Sequence, residues 1–384
     1  MTALPITYTV LIDESPPAES LLRSIKSIEV ERDVRQAAML RLSLNVGVDD
    51  RGTGWRTIDD NTFESRTKIS VLISAKPPRP RPLINAYVVD IKPSMSAVPG
   101  GSTLEVVAMD AQVLMRSEEK VAPRPNQADS TVATKIFRDA NLVPVVDRTT
   151  SQRDQEDTVT TQSSTDGALL DAMAERNGFE FYVQPDVPGL PDEGHFHAPR
   201  LDLASQGTLN VNMGVDTNAT NFSVHDDRRG PSAVSARAVD HRTLDPIDVS
   251  LTKTKARTLG AASFDVDPET TTLLATRGIA NPAELSALVQ AEIDRSNWAI
   301  TATGETTVTR YGDTIRIGEP INVRGAGGQN SGAYYVTAVT YMLSPGEISQ
   351  RFTLQRNARE PDGTEGFDVE GLSGLGLASL GSVT

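Results

Sequence analysis

Residues 40–48 read Leu40-Arg41-Leu42-Ser43-Leu44-Asn45-Val46-Gly47-Val48. Every second side chain is apolar, and the ones between are polar or absent. A strand sends alternate residues to opposite faces, whereas a helix would scatter these five apolar side chains around its circumference. The stretch is therefore a half-buried strand. Upstream, Ile6, Tyr8, Val10 and Ile12 alternate in the same way. Further strand candidates cover 27–34, 68–74, 83–91 and 103–111, mostly separated by connections rich in Gly, Pro and Asp. Six short strands in roughly 110 residues predict a small barrel or sandwich.

The chain has 384 residues, more than one core usually absorbs, so two or more domains are expected. Aromatic residues make up only 5%, so the core must be built mostly from Val, Ile, Leu and Ala, which suits strands. The net charge of −14 opposes phosphate backbones, and nucleic-acid recognition is not expected. Cysteine is absent, which excludes disulfides, thiolate metal sites and cysteine catalysis. The first residues carry no basic, apolar leader pattern, and no run approaches the ~18 apolar residues of a spanning helix, so neither a signal peptide nor a membrane anchor is expected.

The middle of the chain changes character. Ser130 is placed to cap a helix carrying Val132, Ala133, Ile136 and Ala140. A second helix starts near 164–166, presents Leu169, Leu170, Met173 and Ala174, and ends at Asn177-Gly178, where glycine supplies a left-handed cap. The strand Phe179-Glu180-Phe181-Tyr182-Val183 follows. The polar stretch 148–164 between the helices shows no core signal. Residues 208–275 are polar, with weak strands at 221–225 and 233–239. Asn281-Pro282-Ala283-Glu284 then forms a capping box ahead of an apolar stripe of Leu285, Leu288, Val289 and Ile293. Strands return at 306–310, 314–317, 320–323, 334–342 and 348–355. Residues 361–384 end in a Gly/Ser/Leu run expected to be a flexible tail.

Residues 67–111 and 313–357 echo each other. Tyr87-Val88-Val89-Asp90-Ile91, Pro99-Gly100 and Leu104-Glu105-Val106 match Tyr335-Val336-Thr337-Ala338-Val339, Pro345-Gly346 and Phe352-Thr353-Leu354 in pattern. Two copies of one β domain, with helical material inserted, would produce this; chance likeness between β segments is the rival reading.

Catalytic constellations are scarce. His195-Phe196-His197 puts two imidazoles on one strand face, but no nearby third ligand completes a metal site, so a surface strand is expected. Asp265, Asp267 and Glu269 begin like a calcium loop but lack its glycine and distal Glu, and are read as a solvated turn. Asp226-Asp227-Arg228-Arg229 reads as a self-compensated turn. Gly325-Ala326-Gly327-Gly328 lacks the Lys-Ser/Thr of a phosphate loop and is read as a β connection. No G-x-S-x-G nucleophile elbow occurs. Pro77-Pro78-Arg79-Pro80-Arg81-Pro82 stiffens a connection toward polyproline II. It is either a rigid hairpin link or a preformed contact loop, with Pro77, Pro78, Arg79, Pro80 and Arg81 meeting an acidic neighbour.

The middle carries the most specific pattern. Val132-Ala133-x-x-Ile136, then Gln162-x-x-Thr165-Asp166-x-x-Leu169-Leu170-x-x-Met173-Ala174-Glu175-Arg176-Asn177-Gly178-Phe179-Glu180-Phe181-Tyr182-Val183, resembles the helix-to-strand passage of the late control gene D family. These are tail hub proteins of contractile-tailed phages, related to the hub half of type VI secretion spikes. Phe222-Ser223-Val224, Trp298, Gly304-Glu305, Ile317-Gly318, Gly332-x-Tyr334-x-Val336 and Phe352-x-Leu354-x-Arg356-Asn357 follow in the family's order, so the resemblance covers about 130–358. The first 115 or so residues offer no diagnostic motif.

The resemblance implies a mainly β fold with an α+β insertion: two tube-protein-like β-barrel domains plus inserted helical segments. The implied domains are 1–118, a first barrel; 119–207, an α+β insertion; 208–250 with 298–358, a discontinuous second barrel; 251–297, a helical insertion; and 359–384, a flexible tail. It further implies a homotrimer that adapts a sixfold tail tube to a threefold spike, with tube protein and other baseplate components as neighbours. The expected setting is a virion or tail-like particle assembled in the bacterial cytoplasm. No spike-like segment follows the second β domain, so the spike is expected to be a separate protein. Leu372, Leu375, Leu377 and Leu380 of the tail are candidates to dock on it. Neither catalysis nor a cofactor is expected. The competing readings are a standalone β-rich module binding carbohydrate or a host receptor, and a tail-associated cell-wall hydrolase.

Overall fold

A computed structural model describes residues 6–48, 54–55, 57–75, 80–149, 161–227, 233–240, 243–262, 271–275, 282–344 and 346–365. The N-terminal strands are β1 (Thr7–Ile12), β2 (Ile25–Asp33), β3 (Gln36–Asn45), β4 (Lys68–Ser74), β5 (Arg81–Ser94) and β6 (Thr103–Met109), with helix α1 (Glu19–Ser24) between the first two. The alternation holds over 40–46, where Leu40, Leu42, Leu44 and Val46 are buried; Val48, past the end of β3, is exposed. These strands lie in the spatial order β1-β4-β5-β6-β3-β2, each pair antiparallel.

Helix α2 (Gln112–Met115) leads into the inserted region: β7 (Glu119–Pro123), α3 (Asp129–Asp139), β8 (Val143–Val146), β9 (Thr161–Thr165), α4 (Asp166–Asn177), β10 (Glu180–Gln184) and β11 (Glu193–His197). Strands β10, β11 and β8 form one small sheet, and β7 pairs with β9. α4 behaves as its caps dictate. The Thr165 hydroxyl accepts from Ala168 N–H, and Gly178 closes the helix at φ 67°. α3 does not start as expected. Its cap is Ala128, and Ser130 instead exchanges hydrogen bonds with Thr149 across the fold. The Asp129 carboxylate, in the first turn, is taken up by Arg176 and Asn177 of α4. The stretch read as lacking core signal yields β9, with Gln162 buried.

The third region comprises β12 (Thr208–Asn210), β13 (Thr220–Asp226), β14 (Ala233–Val239), β15 (Pro246–Leu251), β16 (Thr271–Ala275), α5 (Pro282–Ser296), β17 (Ile300–Thr307), α6 (Val308–Tyr311), β18 (Pro320–Arg324), β19 (Gly332–Ser344) and β20 (Glu347–Arg356). Strands β14 to β16 form a separate sheet covered by α5, whose Leu285, Val289 and Ile293 pack on Val234 and Ala236. The expected cap Asn281, the Asp265 to Glu269 loop, Arg228 and Arg229, and Pro345 lie outside the described residues. The Gly325 loop joins β18 to β19, a β connection.

The remaining third-region strands lie in the order β12-β18-β19-β20-β17-β13. This is the first unit's order, strand for strand. The six strands arise in the same chain sequence, and every pairing is antiparallel except β12 with β18, which is parallel. The two units share one sheet, because β2 of the first pairs with β19 of the second. A single apolar core runs beneath both, from Val10 and Leu40 to Val339 and Leu354. Among the described residues neither unit closes into a barrel; each remains open where its outer strand ends.

Candidate assembly edges

The duplication holds at residue level. Tyr87 and Val88 pair with Met109 and Ala108, Val89 bulges out, and Asp90 resumes the ladder against Val107. Tyr335 and Val336 pair with Gln355 and Leu354, Thr337 bulges out, and Ala338 resumes against Thr353. The same bulge at the same step makes Val89 the counterpart of Thr337, Ile91 of Val339, Pro93 of Tyr341 and Met95 of Leu343. The sequence echo found this match for the long strand. For the closing strand it was displaced by two: Phe352-Thr353-Leu354 corresponds to Val106-Val107-Ala108, not to Leu104-Glu105-Val106. A slip of two preserves the face of every side chain, so patterning alone cannot detect it.

The joint between units uses the C-terminal half of β19. Its residues Ala338 to Leu343 pair with Asp33 back to Ile28. Val34 N–H donates to the Thr337 carbonyl at 3.0 Å. Antiparallel alternation then turns the N–H groups of Val339, Tyr341 and Leu343 toward β2. Under this cover Thr337, Val339, Tyr341 and Leu343 are 8%, 1%, 1% and 1% exposed.

The counterpart in the first unit has no cover. Val89 is 42%, Ile91 38% and Met95 53% exposed, and no strand among the described residues pairs with this side of β5. Pro93 occupies the position whose N–H would face outward, so the open edge lacks one donor, a common way of blunting a free strand. β13, the counterpart of β2, likewise has no strand among the described residues on its outer side, and Phe222 and Val224 are only half-buried. Among the described residues the chain therefore carries one used pair of edges and one unused pair of the same kind.

The face of the shared sheet opposite the core is polar. Arg41 pairs with Glu31 and reaches Glu29 at 3.5 Å. Lys92 lies 3.2 Å from Glu105 and 3.3 Å from Asp90. Burial, then hydrogen bonding to Glu31, holds Glu29 above the usual carboxylate value, and the Glu31 hydrogen bond raises Arg41.

The inserted region spans the internal joint. From β2, the buried Arg32 donates to the Val183 carbonyl at 3.2 Å and to Gln184 at 2.8 Å. From β5, Asn85 donates to Asp186 O and Asp192 Oδ1. From β19, the Tyr335 hydroxyl meets Glu180 Oε2 at 2.6 Å.

The His195-Phe196-His197 strand is not at the surface. Phe137 of α3 covers one face so closely that a Cβ on Gly194 would sit 2.6 Å from its ring. Tyr182 stacks on His195 at 4.6 Å on the other. His197 Nδ1 lies 2.8 Å from Ala198 O, and its Nε2 lies 2.9 Å from His195 Nδ1. Burial pushes His195 down to about 3, with His197 adding to the effect, so both rings are neutral at pH 7. Among the described residues no group of three or more His, Asp or Glu side chains is placed to hold a metal. No helix there is long and apolar enough to cross a membrane.

Pro77, Pro78 and Arg79 lie outside the described residues, as do Leu372, Leu375, Leu377 and Leu380. Pro80 is exposed, and Arg81 opens β5 with its guanidinium 3.4 Å from Asp313 of the same chain. The exposed edge residues Val89, Ile91 and Met95 were missed. The signal was available in Val89-x-Ile91-x-Pro93-x-Met95, an alternation that continues past the strand read as ending at 91.

No family model and no curated protein matches the chain. Solved structures do. The 43 kDa tail protein of prophage MuSo2 from Shewanella oneidensis superposes with a TM-score of 0.66 at 12% identity, over 92% of this chain and 100% of that one. A tail protein from Neisseria meningitidis gives 0.65 at 12% identity, over 92% and 97%. An E. coli component of the type VI secretion system, described as similar to T4 phage tail proteins gp27 and gp5, gives 0.52 at 10% identity, over 93% and 79%. The chain thus has a β-rich phage-tail fold.

Proposed function

We propose that this chain is a structural hub of a contractile, phage-like tail or injection system. Three copies close a ring of six similar β units that joins a sixfold tube to a threefold spike. One observation carries the reading: each chain holds two units joined edge to edge and leaves the equivalent edges, β5 outward and β13 outward, open. Repeating the β2–β19 joint between chains would use both of these open edges, β5 and β13, and so close the ring instead of letting it extend. The number three comes from the hub resemblance. The polar sheet face with Glu29, Glu31 and Glu105 would then line the passage, where acidic side chains repel phosphate. A separate spike and the tube protein are its neighbours on opposite faces of the ring, within a particle assembled in the cytoplasm.

The test is the solution mass of the purified chain, alone and with the spike protein encoded beside it. A trimer, or a monomer that becomes trimeric on the spike, supports the hub. A monomer indifferent to every tail component overturns it in favour of a standalone binding module.

A further inference from the structure

The internal joint also shows what lies just past the paired strands. Leu343 pairs with Ile28, and β19 then turns at once, because Ser344 already pairs with Glu347 across the hairpin. On the other side α1 ends at Ser24, a few residues before Ile28. The end of β19 therefore lies beside the stretch between α1 and β2.

The same place at the open joint is built differently. The counterparts of Leu343 and Ile28 are Met95 and Phe222. Here the hairpin does not turn at once: Ser94 pairs with Thr103, and residues 95–102 run on beyond the ladder. This extension holds no charged residue, in a chain that is 23% charged. Val98 is 68% exposed, at the start of a turn closed by the Gly101 N–H on the Val98 carbonyl. Ser96 N–H donates to Ser102 Oγ and fixes the base of the loop.

The facing loop is 211–217. It joins β12 to β13, the place that α1 takes between β1 and β2. Val215, in its single 3-10 turn, is fully exposed. The loop is held from within. Asn218 Oδ1 accepts from Asn210 N–H, the Asn218 amide donates to the Thr208 carbonyl, and the Thr217 hydroxyl accepts from Met213 N–H. An apolar side chain held rigidly in water loses little freedom when it is covered, which suits it to anchor an interface.

We propose, resting on the ring reading, that the 95–102 hairpin of one protomer packs on the 211–217 loop of the next, with Val98 against Val215. The occupant is a second copy of this chain, because the register that sets Met95 on Phe222 carries the hairpin alongside residues 216–221. The internal joint has no such extension, so the contact belongs to the joints between chains alone.

The measurement is the trimer dissociation constant of the full chain, by sedimentation under the conditions that give the ring. Val98→Asp and Val215→Lys should each raise it by at least about ten-fold, the loss of an anchoring side chain. Combined in one chain, their opposite charges should recover most of that loss, because the two residues meet. Both residues are exposed in the monomer, so its melting temperature should stay within a few degrees. If the unmodified chain trimerises and neither substitution weakens it, or both do so without recovery in the double variant, the hairpin has another partner: the proposal falls and the ring stands. If the unmodified chain forms no trimer with or without the spike, the ring reading falls and takes this contact with it.

Discussion

If the internal joint repeats between chains, its register transfers residue by residue. Counterparts of Ala338–Asp33, Thr340–Glu31 and Met342–Glu29 are Asp90, Lys92 and Ser94 of one protomer against 227, 225 and 223 of the next. These alternate with the hydrogen-bonded pairs, so they are non-hydrogen-bonded pairs with Cα atoms about 4.5 Å apart. That lies within the span a disulfide bridges, roughly 4.4–6.8 Å. Ser94→Cys with Ser223→Cys changes little volume and no charge, and the chain has no other cysteine. Mild oxidation should give a covalent trimer on a non-reducing gel. Ser94→Cys with Val224→Cys points the thiols to opposite faces and should stay monomeric. A register slip of two would separate the Ser94 and Ser223 positions by about 7 Å along the strand and abolish the link. The map also sets Asp90 opposite Asp227, a like-charge pair at one end that weakens the ladder. A native trimer that does not cross-link refutes the register while sparing the ring, whereas cross-linking of the control pair refutes the face assignment.

Ile91→Asp puts a charge on the open apolar edge. It should abolish the trimer while leaving the melting temperature of the dilute monomer within a few degrees, as read by sedimentation and calorimetry. Glu180 titrates near 8, chiefly because burial disfavours its anion. The folded state therefore holds its proton longer than the unfolded state, and stability falls as pH rises from about 4.5 to 8, by on the order of 1 kcal/mol per unit. Glu180→Gln keeps the acceptor for Tyr335 and should remove that slope in urea titrations; an unchanged slope refutes the assignment. Gly194→Ala drives a methyl into the Phe137 ring, and should cost ~1–3 kcal/mol in the same titrations.

What the sequence made legible follows physical range. Alternation exposed β3, and the Thr165 and Gly178 caps exposed α4, because both signals are local. The repeat was visible in Tyr87-Val88 and Tyr335-Val336, since the same bulge needs a similar strand. The β2–β19 joint was not visible. It pairs residues some 300 positions apart, and nothing in Ile28-Glu29-Val30 names its neighbour. The histidines were misread because polar residues on a short strand suggest water, while Phe137 and Tyr182 arrive from elsewhere to bury both faces.

The two kinds of joint should differ in strength. Within a chain, the inserted region bridges the joint, with Arg32 on one side and Tyr335 on the other. In the proposed ring, the Arg32 and Tyr335 contacts lie within one chain and would not cross the joints between chains. A ring of this construction opens at three of its six joints, and dilution releases intact two-unit monomers. Arg32→Ala tests the asymmetry. It strips the Val183 carbonyl and Gln184 of a buried cationic donor, a loss of about 1.5–3 kcal/mol by the usual strength of such bonds. That loss should appear in unfolding of the dilute monomer, because Arg32 acts inside the chain. Cross-linking of Ser94→Cys with Ser223→Cys should persist in the same background. If instead Arg32→Ala dissolves the ring and leaves monomer stability untouched, the insertion clamps the joints between chains, and the division of labour argued here is reversed.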